Sequence, residues 1–237
     1  RIDICIYVAA LQRYGKAPKV GHLKKMNMLL KYMKEHPLAL ISRKLSLPVK
    51  LVTVGDAAFR REPDDKGLAM RGAVYLLVEE GEGPGGNGNI RDYYARKQAH
   101  VVRSTWGAEV CQLSNGWDYL LLLAGCMTEV QSGELSARQL RDMVDGADGC
   151  LPPALPLEAC VDAQSVFTGS TAQQLKIPAE RHTLYHAQWL RKMLDRHILK
   201  TLCWIDTNDC CADGLTKGSV QRDALRDVAR VEWKVLH

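Results

Sequence analysis

The chain has 237 residues, a net charge of +5 and 46% apolar residues, which is ordinary for one large globular domain or a domain with an appendage. No apolar run reaches the roughly 18 residues of a membrane span, and the 8 cysteines lack the spacing of zinc ligands. This composition argues against a spanning helix and a structural zinc site, and it predicts reduced thiols in the cytoplasm or nucleus.

The first 50 residues are strongly basic, with 11 Lys and Arg against 2 Asp and Glu. Apolar residues recur there at helical spacing and predict two helices within residues 1–36. In the second helix, the apolar side chains expected to face inward are Leu23, Met26, Leu29, Leu30 and Met33. The basic charge suits contact with a polyanion, and a solvated helix face explains it equally well.

The pattern changes to strands after residue 50. Residues 51–56, 69–78 and 90–96 read as three strands, joined by a charged turn at 60–67 and a Gly-rich hairpin loop at 79–89. Short connections of this kind predict an antiparallel meander.

A long helix follows the meander. Ser104 is a plausible N-cap, and the helical pattern runs to about residue 130. Residues 131–156 read as an excursion with a short helix at 136–144, and we expect it to be exposed and mobile.

The last third of the chain alternates between strands and helices. We predict strands at 157–161 and 200–205, helices at 163–175 and 180–196, and a C-terminal amphipathic helix at 220–234. This order of elements suits a mixed sheet with helices on both faces.

Four carboxylates fall where these elements meet. Asp56 and Asp162 each end an apolar strand, Glu109 lies early in the long helix, and Asp213 follows the fifth strand. Carboxylates without His or Cys partners select hard cations such as Mg²⁺ or Mn²⁺, and two such ions about 4 Å apart catalyse phosphoryl displacement. The chain has no GxSxG, GxxxxGK[ST] or GxGxxG motif for a rival chemistry. Structural roles remain open for each acid: strand-end caps, a helix-surface acid and an N-cap.

Four segments, in this order, resemble the C-terminal part of copia-type retrotransposon polyproteins, from the end of the reverse transcriptase through its ribonuclease H domain. The segment GDAAF at Asp56 resembles S-D-A-D-W, and RKQAHVVRSTWGAE, which ends at Glu109, resembles K-K-Q…S-S-T-E-A-E. The segment VDAQS at Asp162 resembles C-D-N-Q-S, and CADGLTKG at Asp213 resembles L-A-D-I-L-T-K. The opening RIDICIYVAALQRYGKAP is similar to the segment after the polymerase palm.

The resemblance implies a ribonuclease H-like α/β fold with a mixed five-stranded sheet, in which three strands are antiparallel and two more are parallel. It implies a domain at 49–237, carrying the excursion at 131–156, after a small helical segment at 1–48 that resembles the reverse transcriptase thumb or connection. We expect the chain, which begins at Arg1, to be part of a longer protein.

The resemblance also implies a catalytic site with two Mg²⁺ ions, for which Mn²⁺ can substitute. Asp56 would bridge both ions, with Glu109 and Asp162 on one and Asp213 on the other. Candidate contacts to the nucleic-acid backbone are Lys24, Lys25, Lys31, Lys97 and Arg103.

Several residues depart from the family pattern without removing an acid. The substituted positions are Gly55, Ala58, Trp106, Gly107 and Ala163. Residues 204–212 lack the mobile His of cellular ribonucleases H, and the polymerase motif Tyr-x-Asp-Asp is absent.

These features predict a metal-dependent endonuclease that hydrolyses the RNA strand of RNA–DNA hybrids as part of a retrotransposon reverse transcriptase. Its partners would be the hybrid and the polymerase portion of the same polyprotein, with no membrane. The alternative is a catalytically inactive, retroelement-derived scaffold that binds other proteins. An integrase-like enzyme on the same fold would need a Glu as its last acid, whereas here Asp213 comes last.

Overall fold

The computed structural model describes residues 1–59, 68–147, 149–175 and 177–235. The predicted charged turn at 60–67 lies outside these ranges. The helices of the described residues are α1 Cys5–Gln12, α2 Val20–Glu35, α3 Thr105–Ser132, α4 Ala137–Asp145, α5 Gln164–Thr171, α6 Thr183–Asp195, α7 Asp213–Thr216 and α8 Asp223–Ala229. The strands are β1 Val49–Ala58, β2 Met70–Glu79, β3 Gly86–Lys97, β4 Leu157–Val161, β5 Thr201–Trp204 and β6 Glu232–Trp233.

The strands form one mixed sheet in the order β5-β4-β1-β2-β3-β6. The β1–β2 and β2–β3 pairs are antiparallel, and β4 runs parallel to both β1 and β5. This arrangement confirms the predicted ribonuclease H-like fold, with three antiparallel strands followed by two parallel ones. The predicted count of five strands is wrong by one, because β6 adds an antiparallel strand to the edge of β3.

Each face of the sheet buries its own hydrophobic core. Leu51 of β1 packs with Trp117 and Leu120 of α3 on one face. Val52 points to the opposite face, where Leu215 of α7 belongs to the same core. Because successive side chains of a strand alternate between faces, β1 holds both cores together and is buried along its full length.

The long helix and the fourth strand match their predictions closely. Ser104 caps α3 by accepting a hydrogen bond from the Gly107 amide at 3.0 Å, and β4 spans 157–161 as expected. The helices predicted at 163–175 and 180–196 are shorter at their loop ends, since α5 ends at Thr171 and α6 starts at Thr183.

The predicted C-terminal helix is wrong in its second half. The helix α8 ends at Ala229, and Val231 adopts a left-handed backbone with φ of 84°, a conformation that interrupts a helix. The chain then pairs with β3 and buries Trp233. Burial of this large ring against the sheet opposes continuation of the amphipathic helix.

The helix α2 forms as predicted, but its apolar side chains are not buried. Leu23, Met26 and Leu30 are 50%, 43% and 48% exposed, and no residue of α2 is buried against the described part of the chain. The prediction of an inward face is therefore wrong for Leu23, Met26 and Leu30, whereas Leu29 and Met33 are half-buried. Periodicity identified the helix, but the described residues cover this stripe only in part.

The excursion at 131–156 is more closely packed than predicted. Its helix α4 begins with a capping box at Ser136, and the buried side chains of Leu135, Met143 and Leu155 attach the segment to the body of the molecule. The prediction of an exposed segment is wrong at these positions, because α4 has its own apolar face. Among the described helices, none has both the length and the apolar character that crossing a membrane would require.

Candidate active site

The site is built where β1 and β4 run side by side. Gly55 pairs with Val161 in parallel register, so the next residues, Asp56 and Asp162, lie next to each other. Asp56 is two residues short of the strand end rather than at the end, and it is only 1% exposed. A central strand thus holds one carboxylate rigidly beside another.

Glu109 joins these two acids from α3. Its Oε2 accepts a hydrogen bond from the Ala57 amide at 3.1 Å, which ties the helix to the strand beside Asp56. The carboxylates of Asp56, Glu109 and Asp162 each offer an oxygen within 4.8 Å of the others. We call these three residues the acid triad.

Asp213 approaches from the opposite face of the sheet, at the start of α7. It shares a cluster with Asp162 and the thiol of Cys210, again with ligand atoms within 4.8 Å of one another. Asp162 is therefore common to both groups. The four predicted acids converge, although Asp213 belongs to a different group from Asp56.

Burial and mutual repulsion set the electrostatics of the acids. Burial, together with the charges of Asp56 and Asp162, raises the pKa of Glu109 well above its usual value. Burial and the charge of Asp56 raise the pKa of Asp162, and the same two causes raise the pKa of Asp213 to about 7. Like carboxylates forced together in a dry site favour any cation that enters.

The family pattern did not single out Lys217, yet it lies among these acids. Its Nζ is 2.6 Å from Asp213 Oδ1, 3.2 Å from Asp56 Oδ1 and 3.9 Å from Asp162 Oδ2. Burial lowers the pKa of Lys217, but Asp56 and Asp213 outweigh it, so the net shift is upward. The only sequence signal for this residue was the LTK of the last motif.

Further side chains outside the predicted set orient the acids. The hydroxyl of Thr216 donates a hydrogen bond to Asp56 Oδ2. Thr207 donates to Asp162 Oδ2 at 3.2 Å, and the indole of Trp204 donates to the Asp162 carbonyl at 3.0 Å. The two threonine contacts orient the carboxylates and the Trp204 contact holds the backbone of Asp162, and sequence spacing gave no sign of them.

Glu180 explains one departure from the family pattern. Its carboxylate contacts Ser104 Oγ and accepts a hydrogen bond from the Arg103 amide at 2.8 Å. A Cβ atom on Gly107 would meet Glu180 Oε1 at 2.8 Å. Glycine at 107 therefore leaves space for Glu180, which holds the first turn of α3. Because Glu109 lies in the same helix, this contact also helps to set the position of Glu109.

The residues present fit a hard divalent cation. Asp56 Oδ1 is buried and receives no hydrogen bond from the described residues, although the Lys217 ammonium lies 3.2 Å away. The acid triad supplies only oxygen ligands, as Mg²⁺ and Mn²⁺ prefer.

The candidate nucleic-acid contacts fall in two places. Lys97 pairs with Met70, and Met70 pairs with Ala58, so Lys97 lies at the same end of the sheet as Asp56. Arg103 is exposed just before α3. The other three candidates, Lys24, Lys25 and Lys31, are exposed along α2. Lys25 lines a groove of about 620 Å³ between the N-terminal helices and α8.

Comparison with known proteins finds distant structural similarity. No protein-family model matches the chain, and no curated protein matches it. One similar solved structure is the N-terminal RNase H domain of a Mycobacterium tuberculosis protein, fused to maltose-binding protein. It has 16% identity and a TM-score of 0.42, and the match covers 77% of this chain and 98% of that one.

Two other structures are similar to comparable degrees. LC11-RNase H1 in complex with an RNA/DNA hybrid has 14% identity and a TM-score of 0.43, over 72% of this chain and 96% of that one. The protease–reverse transcriptase of prototype foamy virus has 10% identity and a TM-score of 0.40, over 78% of this chain and 23% of that one. At such values the fold assignment rests on the strand order and directions of the chain itself.

Proposed function

We propose that this chain is a metal-dependent ribonuclease H-type endonuclease that hydrolyses the RNA strand of RNA–DNA hybrids. The observation that carries the proposal is the acid triad, in which three carboxylates from β1, α3 and β4 meet within 4.8 Å around a buried Asp56 oxygen that receives no hydrogen bond from the described residues. Like charges buried together are destabilising, and the one positive charge of Lys217, which lies beside Asp56 and Asp162, does not balance three carboxylates. The proposed biological setting is the C-terminal portion of a copia-type retrotransposon reverse transcriptase, which the four sequence motifs support.

The roles of the residues follow from their contacts. Asp56, Glu109 and Asp162 would hold a divalent ion, and Mg²⁺ is the proposed species. When bound, such an ion acts as a Lewis acid on a phosphate oxygen and lowers the pKa of water. The hydroxyl of Thr216 orients the Asp56 carboxylate by a hydrogen bond, and the hydroxyl of Thr207 orients the Asp162 carboxylate in the same way.

The chain's cations would position the substrate. Lys97 and Arg103 flank the sheet end that carries Asp56, where they would neutralise backbone phosphates. Contacts to the ribose 2′-hydroxyl are the expected basis for choosing the RNA strand. The basic residues of α2 would extend the footprint toward the N-terminal segment.

Cleavage of a labelled RNA–DNA hybrid in Mg²⁺ or Mn²⁺ tests the proposal. The Asp56→Asn variant is expected to lose at least about 100-fold in rate, since loss of a metal ligand removes several kcal/mol of transition-state stabilisation. Asp195→Asn is the matched control, because that acid is 61% exposed at the end of α6. DNA duplexes and RNA duplexes should stay intact. Equal cleavage by Asp56→Asn and wild type would refute the assignment of the site.

A non-catalytic interaction subunit is the second candidate. The uncovered apolar side chains of α2 favour it, since contiguous exposed apolar surface on a folded chain commonly marks a contact with another molecule. Absence of both hybrid cleavage and Mn²⁺ binding in the wild type would support this candidate over the nuclease.

A further inference from the structure

The ammonium of Lys217 occupies the space between Asp56 and Asp213. It lies 2.6 Å from Asp213 Oδ1 and 3.2 Å from Asp56 Oδ1, with its side chain 30% exposed. This is the space in which the sequence motifs lead one to expect a second divalent ion, shared by the same two acids. The two acids do not occur together in either carboxylate cluster of the described residues.

Lys217 and Asp213 are placed at the site by the same short helix, α7. Lys217 follows α7 directly, and its amide donates to the Asp213 carbonyl at 2.9 Å. Its own carbonyl accepts a hydrogen bond from Arg222 at 3.4 Å. Thr216, the preceding residue, is bonded to Asp56. These hydrogen bonds fix the backbone at Lys217 and at its neighbour, so the Lys217 side chain extends to the acids from a fixed position.

The same geometry leaves the acid triad available for an ion. Lys217 Nζ lies at ion-pair distance from Asp56 Oδ1, yet that oxygen receives no hydrogen bond from the described residues. Asp56 still offers an oxygen within 4.8 Å of a carboxylate oxygen of Glu109 and of Asp162. The other cluster, around Asp213, includes the sulfur of Cys210, which Mg²⁺ and Mn²⁺ do not prefer.

We infer that Lys217 replaces one of the two metal ions, so that the chain binds a single divalent ion at the acid triad and uses the lysine ammonium as its second cation. This inference rests on the proposed nuclease function and refines it. The fixed ammonium would stabilise the negative charge that develops on the leaving oxygen, which is the role of the second ion in two-metal sites. An ion beside Asp213 would have to displace the ammonium, since two cations would share the same oxygens.

Counting bound Mn²⁺ by electron paramagnetic resonance tests the inference without relying on activity. The wild type is expected to bind one ion. Lys217→Met, which removes the charge but keeps much of the volume, is expected to bind two. Lys217→Arg is the matched control and should bind one, because it keeps the cation. Two ions in the wild type, none in the wild type, or one in folded Lys217→Met would each overturn the inference.

A measurement on the wild type alone covers the case in which Lys217→Met does not fold. Acylation of Lys217 by an amine-reactive reagent, read by mass spectrometry, should be slow both in EDTA and in saturating Mn²⁺. A marked increase in Mn²⁺ would mean that an ion has displaced the ammonium, and would refute the inference.

The stoichiometry and the cleavage assay separate the two proposals. One bound ion without hybrid cleavage would support the replacement of an ion by Lys217 and refute the nuclease function. Two bound ions with cleavage would do the reverse.

Discussion

Replacing Gly72 with alanine should disturb the site through packing alone. Gly72 lies directly opposite Asp56 in the β1–β2 pair, and α7 rests on its open face. A Cβ atom there would meet Leu215 Cβ at 2.6 Å and Thr216 Cγ2 at 3.0 Å. Leu215 Cβ is bonded directly to the backbone and cannot rotate away, and rotation of Thr216 would break the hydrogen bond of its hydroxyl to Asp56. The helix that carries Asp213 must move as a unit.

The size of the effect follows from these distances. Ordinary carbon contacts begin near 3.4 Å, so α7 must shift by roughly 1 Å, a misplacement that can cost about 100-fold in rate. Overpacking of this kind costs about 1–3 kcal/mol of stability, and the lower backbone entropy of alanine offsets about 0.5–1 kcal/mol of it. We expect Gly72→Ala to lose up to about 2.5 kcal/mol of stability and roughly 10- to 100-fold in hybrid cleavage.

Urea denaturation and hybrid cleavage measure the two effects. Gly116→Ala is the matched control, because its Cβ would meet Gln112 and Thr53 at ordinary distances of 3.5 and 3.6 Å. That variant should match or exceed wild-type stability by up to about 1 kcal/mol, since alanine is the better helix former. Wild-type cleavage and stability in Gly72→Ala would refute the close packing of α7 on β2.

Three further results are expected. Lys50→Met should lower the free energy of unfolding by about 3–5 kcal/mol in urea denaturation. The substitution leaves the Glu158 carboxylate, 2.7 Å from the buried ammonium, without its ion-pair partner. The double variant Lys50→Met/Glu158→Leu should recover much of that loss, and no recovery would contradict a buried pair. Met143→Ala should cost about 2–5 kcal/mol, since this side chain is 1% exposed; a change under about 0.5 kcal/mol would mean that the excursion does not pack. In EDTA, the metal-free chain should lose stability as pH rises from about 4 to about 7. The reason is that the pKa of Asp213 is raised to about 7 and the pKa of Glu109 is also raised. In this pH range the folded state therefore holds protons that the unfolded state has released. Thermal melts across this range should show the fall in stability with pH, and saturating Mn²⁺ should make that fall smaller. A rise in stability with pH would refute the raised pKa values.

The sequence predicted elements best where the signal is local. The cap at Ser104 and the apolar run of β4 placed a helix start and a strand within a residue of their positions in the structure. It failed where burial depends on distant chain segments. The stripe of α2 looks like a core face but is covered only in part, and Trp233 is drawn into the edge of the sheet although its segment has helical periodicity. Periodicity fixes the type of an element, and tertiary packing decides which face is covered.

The site divides in the same way. The order of residues is enough to identify the four acids and to predict that Asp56 and Asp162 follow or end apolar strands, because strand patterning depends on neighbouring residues. The folded chain was needed to show that Gly55 and Val161 share a register. It was also needed to show that Asp56 keeps an oxygen without a hydrogen-bond donor among the described residues, and that Lys217 reaches that oxygen at ion-pair distance. The physical reason is that these facts depend on contacts between residues more than a hundred positions apart, such as β1 against β4 and α7 against β2.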